Sequence, residues 1–147
     1  MAMVCIDASV AAKWVLGESD SEIAHALLAD VRASGTRMVV PLHLPAEVTS
    51  AVYKRMRDGM LTTEEAHQAL AEFGLVELTP DHSVGVTQRA ISIAALLGSK
   101  YPYDAFYLAL GELLGCDVWT ADRALYAAAH ASFPRLRLLS DYGADQE

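Results

Sequence analysis

Short apolar runs alternate with segments of helical periodicity along the chain. The apolar runs each end at a polar residue, a proline or a turn, and they predict buried strands at residues 3–6, 38–40, 75–78, 118–120 and 136–139. The segments between them carry apolar residues at helical spacing and end in glycines or polar residues. They predict helices over residues 9–16, 19–33, 45–59, 63–73, 83–97, 102–114 and 123–131.

Alternating strands and helices are typical of an α/β fold with a mostly parallel central sheet. The strand runs are continuously apolar, which indicates that helices cover both faces of the sheet. We therefore expect one domain over residues 1–147, with three α/β/α layers and about five strands. Ligands of such folds bind beyond the carboxyl ends of the strands, so the residues that follow each strand are the first candidates for chemistry.

The segment over residues 102–114 is apolar nearly all round, which predicts a central and buried helix. Asp104 and Glu112 are the only charged residues between Lys100 and Asp117. A carboxylate at the head of so apolar a helix needs a partner, because an unpaired buried charge is costly. Gly111 in the same helix is expected to loosen it by up to about 1 kcal/mol.

Composition and charge narrow the class of protein. Hydrophobic residues make up 53% and charged residues 20% of the chain, which excludes a disordered or collagen-like protein. The balance of 11 basic and 19 acidic residues gives a net charge of −8, which argues against a general electrostatic grip on nucleic-acid backbones. A nucleic-acid enzyme stays open, because a bound metal ion can reverse the local field.

Cys5 and Cys116 each lie in an apolar run, which predicts two buried thiols in a reducing compartment instead of a disulfide. No run approaches the roughly 20 apolar residues of a membrane span. The first residues also lack the basic segment of a secretory signal. We therefore expect a soluble, cytoplasmic protein that does not enter membranes.

Four carboxylates occupy positions that the predicted topology can bring to one edge of the sheet. Asp7 and Asp122 follow predicted strands, whereas Glu47 and Asp104 lie in the first turns of predicted helices. Each has a simpler interpretation, because an acid at a helix start accepts backbone N–H bonds and complements the helix dipole. Four converging carboxylates would repel one another unless a cation lay among them.

The expected cation is Mg²⁺ or Mn²⁺, since hard divalent ions prefer oxygen ligands. Zinc is disfavoured, because neither cysteine is in a paired motif and the five histidines are scattered: His25, His43, His67, His82 and His130. The chain also lacks a glycine-rich phosphate loop and a nucleophile elbow. An acidic metal site with open positions suits phosphodiester hydrolysis better than acyl or glycosyl transfer.

Four segments together carry a family resemblance: residues 4–14, 41–48, 103–110 and 118–123. In order and spacing they resemble the motifs of PIN-domain proteins, and within that family the VapC toxins of type II toxin–antitoxin systems. The resemblance covers nearly the whole chain. It implies a PIN-like fold and an endoribonuclease that depends on Mg²⁺ or Mn²⁺.

The resemblance also implies roles for individual residues. Asp7, Asp104 and Asp122 would be metal ligands, directly or through water, and Glu47 would bind a second ion or activate the attacking water. Other matching positions are Ser9 and Thr120, whose hydroxyls would line the pocket or, in the simpler interpretation, cap helices. Glu112 also matches an acidic position, but eight residues from Asp104 it is turned partly away from that face. Gly111 departs from the pattern, since alanine is more usual there.

Partners implied by the resemblance are an RNA substrate, a second copy of the chain in a homodimer, and a VapB-type antitoxin that lays a segment into an apolar groove. The candidate anchors for that segment are Trp14, Tyr53, Met56 and Met60. The simpler interpretation of these four residues is ordinary core packing. Candidate contacts to RNA phosphates are Arg55, Arg57, Arg89 and Arg123.

Two alternatives belong to other functional classes. A non-catalytic PIN-like module would hold RNA or a protein without cutting it, but such a module would be expected to have lost an acidic residue. A receiver-like phospho-acceptor domain also places carboxylates at strand ends. It would need a lysine at the end of a later strand, and Lys13, Lys54 and Lys100 do not end a strand after Asp104.

Overall fold

The computed structural model describes residues 2–81 and 83–144. Its centre is a sheet of five parallel strands in the order β3-β2-β1-β4-β5. The strands are β1 (Met3–Ile6), β2 (Arg37–Pro41), β3 (Thr79–Asp81), β4 (Val118–Thr120) and β5 (Leu136–Leu138). The α/β class, the parallel sheet and the strand number are therefore as the sequence predicts.

Within the described residues, seven α-helices fill the connections between these strands. They are α1 (Ala8–Ala11), α2 (Ser21–Ser34), α3 (Leu44–Arg57), α4 (Thr63–Phe73), α5 (Val84–Leu97), α6 (Tyr103–Leu114) and α7 (Arg123–Ala129). Right-handed crossovers are the rule for parallel strands, and for this strand order they assign α1–α4 to one face and α5–α7 to the other. The result is the expected three-layer arrangement.

The strand order changes direction between β1 and β4. The chain leaves β1 towards β2 and β3, then returns to place β4 on the other side of β1. In open α/β sheets such a switch point opens a crevice at the carboxyl ends of the two central strands. Asp7 follows β1 directly, and Asp122 lies two residues beyond β4. The topology therefore brings two of the four predicted carboxylates to this crevice.

Three local predictions were wrong. The third strand is Thr79–Asp81 and not residues 75–78, which have no regular secondary structure and where Leu75 is 82% exposed. The helix expected over residues 9–16 is a short α1 followed by a 3-10 turn, Ala12–Trp14. Helix α2 begins at Ser21 and not at residue 19, because Asp20 before it is in a left-handed conformation; no side chain caps it.

The remaining helix starts follow familiar rules. Thr62 caps α4 with a full capping box, in which Glu65 returns the hydrogen bond to the Thr62 backbone. Pro45 lies in the first turn of α3, where its missing N–H costs nothing. Asp81 accepts a hydrogen bond from the Ser83 backbone just before α5 begins. His82 lies outside the described residues.

Helix α6 is central, as predicted, and packs against β1, β2, β4 and α5. It is not buried all round, because Tyr103 and Leu113 are each more than half exposed. Gly111 has a different role from the one expected. A Cβ at this position would overlap Val118 Cγ2 and come within 3.2 Å of the Cys116 carbonyl oxygen. Glycine therefore allows α6 to approach β4 closely instead of merely loosening the helix.

The core lies between the sheet and its helices and contains both cysteines as free thiols, as predicted. Trp14 is also a core residue, and its indole N–H donates to the Ala24 carbonyl at 3.0 Å. It is therefore not an exposed anchor, whereas Tyr53 and Met60 are exposed. Over the described residues, the helices are too short or too polar to cross a bilayer.

Candidate active site

The four predicted carboxylates line one cavity at the carboxyl edge of the sheet. Its volume is about 410 Å³, and its walls come from Asp7 after β1, from α1 with the 3-10 turn and the loop that follow it, from α3 and α6, and from the loop after β4. Its acidic members are Asp7, Glu18, Glu47, Asp104 and Asp122, and Lys13 also lines it. The cavity gathers side chains that lie more than 110 residues apart in the sequence, because the parallel strands end at the same edge.

Asp7 is the most deeply buried of these carboxylates, at 3% exposure. It precedes α1, but its side chain caps no helix N–H. Its Oδ2 instead accepts hydrogen bonds from the Thr120 hydroxyl at 2.6 Å and the Ser9 hydroxyl at 3.0 Å. Helix capping therefore does not explain Asp7. A buried carboxylate that lines a cavity is instead a candidate functional residue.

Ser9 and Thr120 connect the end of β1 to the loop after β4. Their hydroxyl oxygens lie 3.3 Å apart, and both bond to Asp7. Ser9 also accepts from the Ala121 backbone N–H at 2.9 Å, and Thr120 accepts from the Asp122 N–H at 3.1 Å. Ser9 therefore lines the acidic cavity, whereas Thr120 is fully buried and holds Asp7, and neither hydroxyl caps α1 or α7.

Asp122 combines two roles. Its Oδ1 accepts from the Leu125 backbone N–H at 3.0 Å, so it caps α7 as the simpler interpretation predicts. Asp122 is also exposed, and it lines the same cavity as Asp7. The capping bond therefore fixes the carboxylate in place, while a side chain at the cavity mouth remains accessible.

Glu47 is held by two neighbours that the sequence analysis did not single out. The buried Tyr107 hydroxyl donates to Glu47 Oε1 at 2.8 Å, and His43 Nε2 lies 3.1 Å from the same oxygen. Burial, together with the nearby Asp7 and Glu47 charges, raises the pKa of Tyr107 far above its ordinary value. Tyr107 therefore stays protonated and remains a donor that orients Glu47.

The spacing along α6 could have revealed Tyr107. It lies three residues after Asp104, and residues at that spacing share one helix face. His43 lies one turn before Glu47 in the same way. Its ring also packs against the rings of Tyr103, Phe106 and Tyr107. His43 was counted among the scattered histidines, yet it contacts a site residue.

Burial and mutual repulsion perturb two of the carboxylates. Burial raises the pKa of Asp7 to about 6; the Thr120 and Ser9 hydrogen bonds oppose the shift, while the Asp104 and Glu47 charges add to it. Burial also raises the pKa of Asp104, with repulsion from Asp122 and Glu47 next in size. The negative charges in the cavity therefore disfavour the ionised forms of Asp7 and Asp104, and the site is short of positive charge.

The donor set fits a hard divalent cation. Carboxylate and hydroxyl oxygens are the ligands that Mg²⁺ and Mn²⁺ prefer, and a cation would relieve the repulsion. Among residues 2–81 and 83–144, no three carboxylate, imidazole or thiol groups lie close enough together to hold a metal ion between them. Mg²⁺ keeps several waters and takes one or two protein carboxylates, so an open acidic cavity suits it.

Other predicted candidates lie elsewhere. Glu112 forms two hydrogen bonds with Arg89, both at 3.1 Å, and takes no part in the cavity. Arg57 pairs with Asp58 on an exposed surface, whereas Arg55 contacts Glu18, a cavity residue. His25, His67 and His130 are exposed and do not line the cavity.

Comparisons with known proteins place this site in a family. The family model for the PIN domain matches residues 4–131. A VapC ribonuclease of Mycobacterium bovis is 30% identical over 132 residues, which cover 90% of this chain and 95% of the relative.

Solved structures show the same fold. PAE2754 from Pyrobaculum aerophilum superposes with a TM-score of 0.68 at 19% identity, over 95% of this chain and 92% of the other. VapBC2 from Rickettsia felis, solved bound to a DNA fragment from its promoter, gives a TM-score of 0.63 at 13% identity, over 92% and 96%. The sequence match, the shared fold and the acidic cavity agree, and the chain belongs to the PIN domain family as a member of its VapC ribonucleases.

Proposed function

We propose that this protein is an endoribonuclease that hydrolyses RNA phosphodiester bonds with Mg²⁺ or Mn²⁺ in the acidic cavity. The observation that carries the proposal is the buried Asp7 carboxylate, held by two hydroxyls and surrounded by Glu47, Asp104 and Asp122. Family membership gives the reaction class, since the Mycobacterium bovis relative is a VapC ribonuclease.

Asp7, Asp104 and Asp122 are the residues that would hold the cation, directly or through water. When bound, the cation supplies Lewis-acid polarisation of the phosphoryl oxygen and charge neutralisation for the leaving oxygen. Thr120 and Ser9 hold Asp7 Oδ2, so this carboxylate cannot rotate freely when the substrate arrives. Such supporting hydrogen bonds commonly change metal affinity or activity by about 10- to 100-fold.

Glu47 is the residue that would accept the proton of the attacking water. Its Oε1 is engaged by Tyr107 and His43, and no hydrogen bond to Oε2 is recorded among the described residues. The water oxygen bonds to phosphorus and its proton passes to Glu47 Oε2. The bond from phosphorus to the sugar oxygen breaks, and that oxygen leaves with the electron pair and takes a proton from solvent water. A fixed orientation of Glu47 keeps that oxygen aimed at the reacting water.

The proposal extends to a toxin that acts in the cytoplasm, forms a homodimer and is inhibited by a VapB-type antitoxin. The apolar side chains left exposed offer surface for both protein contacts, among them Tyr53, Met60, Ile91, Leu96 and Leu113. The VapBC2 neighbour from Rickettsia felis supports the antitoxin partner. Light scattering of the purified protein tests the dimer, and co-expression with the neighbouring gene product tests the antitoxin.

RNA cleavage by purified, antitoxin-free protein tests the enzyme directly. A mixed RNA pool is incubated with Mg²⁺, Mn²⁺ or EDTA, using wild type, Asp104→Asn and Glu112→Gln. We expect discrete fragments that require the metal, and a loss of about 10²-fold or more in Asp104→Asn. Glu112→Gln is the matched control, because it removes a carboxylate from the same helix outside the cavity. It should stay within about twofold of wild type.

Two results would contradict the proposal. One is full cleavage by Asp104→Asn. The other is no cleavage by folded wild-type protein under either metal, which would favour a PIN-like module that binds without cutting.

A further inference from the structure

Lys13 is a buried ammonium group in the wall of the acidic cavity. The residue is 8% exposed, and it is the one basic side chain among the described residues that line this cavity. Lysine is rarely buried without a partner, because removal of its charge from water is costly. A basic group next to four functional carboxylates therefore needs an explanation.

Part of that explanation is structural. Lys13 Nζ donates to Glu18 Oε2 at 3.1 Å and to the Ser19 carbonyl oxygen at 2.9 Å. These bonds tie the loop that follows the 3-10 turn back to the body of the protein. The ammonium group has three N–H donors, and the third has no recorded acceptor among the described residues. One donor thus remains for a ligand in the cavity.

The loop does not depend on Lys13 alone. Arg55 lies one turn beyond Ala51, another cavity residue, and its Nη2 approaches Glu18 Oε1 at 3.2 Å. Its Nη1 also donates to the Gly17 carbonyl oxygen at 3.4 Å. Lys13 and Arg55 therefore each hold one oxygen of Glu18, so the loop keeps a cationic tie without Lys13.

RNA presents a negative charge at every nucleotide, so a chain that reaches the cavity brings more than one phosphate. A divalent cation among Asp7, Asp104 and Asp122 would serve the phosphate that is cut. A neighbouring phosphate would meet Glu18 and Glu47 unless a protein cation received it. Lysine is a common phosphate ligand that acts as a point charge on a flexible stem.

We propose that Lys13 binds the RNA phosphate next to the scissile one, with Glu18 as its resting partner and Arg55 as the residue that keeps Glu18 in place. This inference rests on the proposed ribonuclease function of the same cavity. Two of the four arginines suggested by the sequence, Arg57 and Arg89, are less suited because they are paired away from the cavity. Lys13 contributes to RNA binding and not to the proton transfers of hydrolysis.

The inference predicts opposite effects for two substitutions. Lys13→Gln removes the phosphate contact, so RNA binding should weaken about three- to tenfold and lose about 0.7 from its slope against salt. Glu18→Gln keeps an oxygen acceptor for Lys13 but removes the competing negative charge, so RNA binding should tighten. A residue that served only to tie the loop would weaken binding, or leave it unchanged, in both variants.

The measurement is fluorescence anisotropy of a labelled single-stranded RNA oligonucleotide over a series of KCl concentrations. It uses Mg²⁺ and the Asp104→Asn background, so the RNA is not consumed. Arg57→Gln and Asp58→Asn are the matched controls, because they change one charge each in an exposed pair at the end of α3. Lys13→Arg keeps the charge and should bind RNA with the wild-type salt slope.

Steady-state cleavage of the same oligonucleotide by proteins with an intact Asp104 separates KM from kcat. Lys13→Gln should raise KM with little change in kcat. An unchanged salt slope in folded Lys13→Gln, or weaker binding in Glu18→Gln, would overturn the inference while leaving the ribonuclease proposal intact. If wild type does not cleave but the two variants still shift RNA binding in opposite directions, the ribonuclease proposal fails and the phosphate site remains.

Discussion

The carboxyl ends and the amino ends of the parallel strands form two opposite edges of the sheet. Each of these edges carries a cavity, and the two cavities are nearly equal in size but differ in character. The carboxyl edge holds the acidic cavity of about 410 Å³, and the amino edge holds one of about 420 Å³. Charged residues at the amino edge are Arg32, Arg37 and Glu77, and all three are exposed. At the carboxyl edge, Asp7 and Thr120 are buried and hydrogen-bonded to each other.

The difference shows that cavity size does not identify a functional site. An exposed charge costs the fold little, so Arg37 or Glu77 needs no further explanation. A buried carboxylate with a raised pKa costs stability, and proteins keep such groups mainly where chemistry requires them. We therefore expect substitutions of the buried polar groups at the carboxyl edge to change both activity and stability, and substitutions of the exposed charges at the amino edge to change little.

The largest stability effect should come from Asp7→Asn in metal-free protein. The pKa of Asp7 is raised to about 6 in the folded state, against an ordinary value of 3.8. The folded state then binds this proton more tightly than the unfolded state, so stability falls as the pH rises between these two values. Asn carries no charge, so the variant should be more stable than wild type by about 2–3 kcal/mol at pH 7.5, with little difference below about pH 4.

Urea unfolding in EDTA at several pH values measures this difference. Asp58→Asn removes an exposed carboxylate and should show no such change with pH. If Asp7→Asn and wild type had equal free energies of unfolding at every pH, burial of the ionised Asp7 carboxylate would not destabilise the fold.

A smaller effect, on activity, should come from Thr120→Val. This change keeps the side-chain shape but removes the 2.6 Å bond to Asp7 and the acceptor for the Asp122 N–H. We expect RNA cleavage to fall by about 10- to 100-fold, as for other residues that hold a metal ligand in place. Single-turnover cleavage at saturating Mg²⁺ measures the loss.

Thr49→Val is the matched control for Thr120→Val. The Thr49 hydroxyl is exposed on α3 and donates only to the Pro45 carbonyl. Its removal should leave cleavage unchanged. If both variants kept wild-type activity, the hydroxyl support of Asp7 would have no functional role.

The smallest effect should come from glycine-to-alanine changes away from the acidic cavity. Alanine at Gly111 would crowd Val118 at the start of β4, so it should destabilise the fold by about 1–3 kcal/mol although alanine favours helices. In α5, a Cβ at Gly85 would lie 3.8 Å from the Ser83 hydroxyl, and Gly85→Ala should be neutral or stabilising by up to about 1 kcal/mol. Thermal unfolding separates the two, and a more stable Gly111→Ala would contradict the packing.

Much of this contrast could be predicted from the sequence. The strands before Asp7 and Asp122 are continuous apolar runs, and parallel strands end at one edge, so the pattern itself brings these acids together. Strand β3 could not be found in this way. It is an edge strand that contains Pro80, and the more apolar residues 75–78 are irregular instead.

The hydrogen-bond partners of the site residues could not be predicted from the sequence, for a different reason. The Glu47–Tyr107 bond joins residues 60 positions apart on two helices, and its existence depends on how α3 and α6 meet. Lys13 was weighed only as a possible receiver-type lysine, and its place in the cavity wall depends on the break between α1 and the 3-10 turn. Tertiary packing, and not local pattern, decides such contacts.

The central claim is that the acidic cavity is the metal-binding centre. Isothermal titration calorimetry of Mn²⁺ into the purified protein tests it most directly. Wild type and Arg37→Gln, which changes the amino edge, should bind the ion equally. Asp7→Asn should bind it at least about tenfold more weakly, because it loses a charged ligand at the carboxyl edge. Undiminished Mn²⁺ binding by Asp7→Asn, or no binding by wild type, would contradict the assignment of the acidic cavity as the metal-dependent centre.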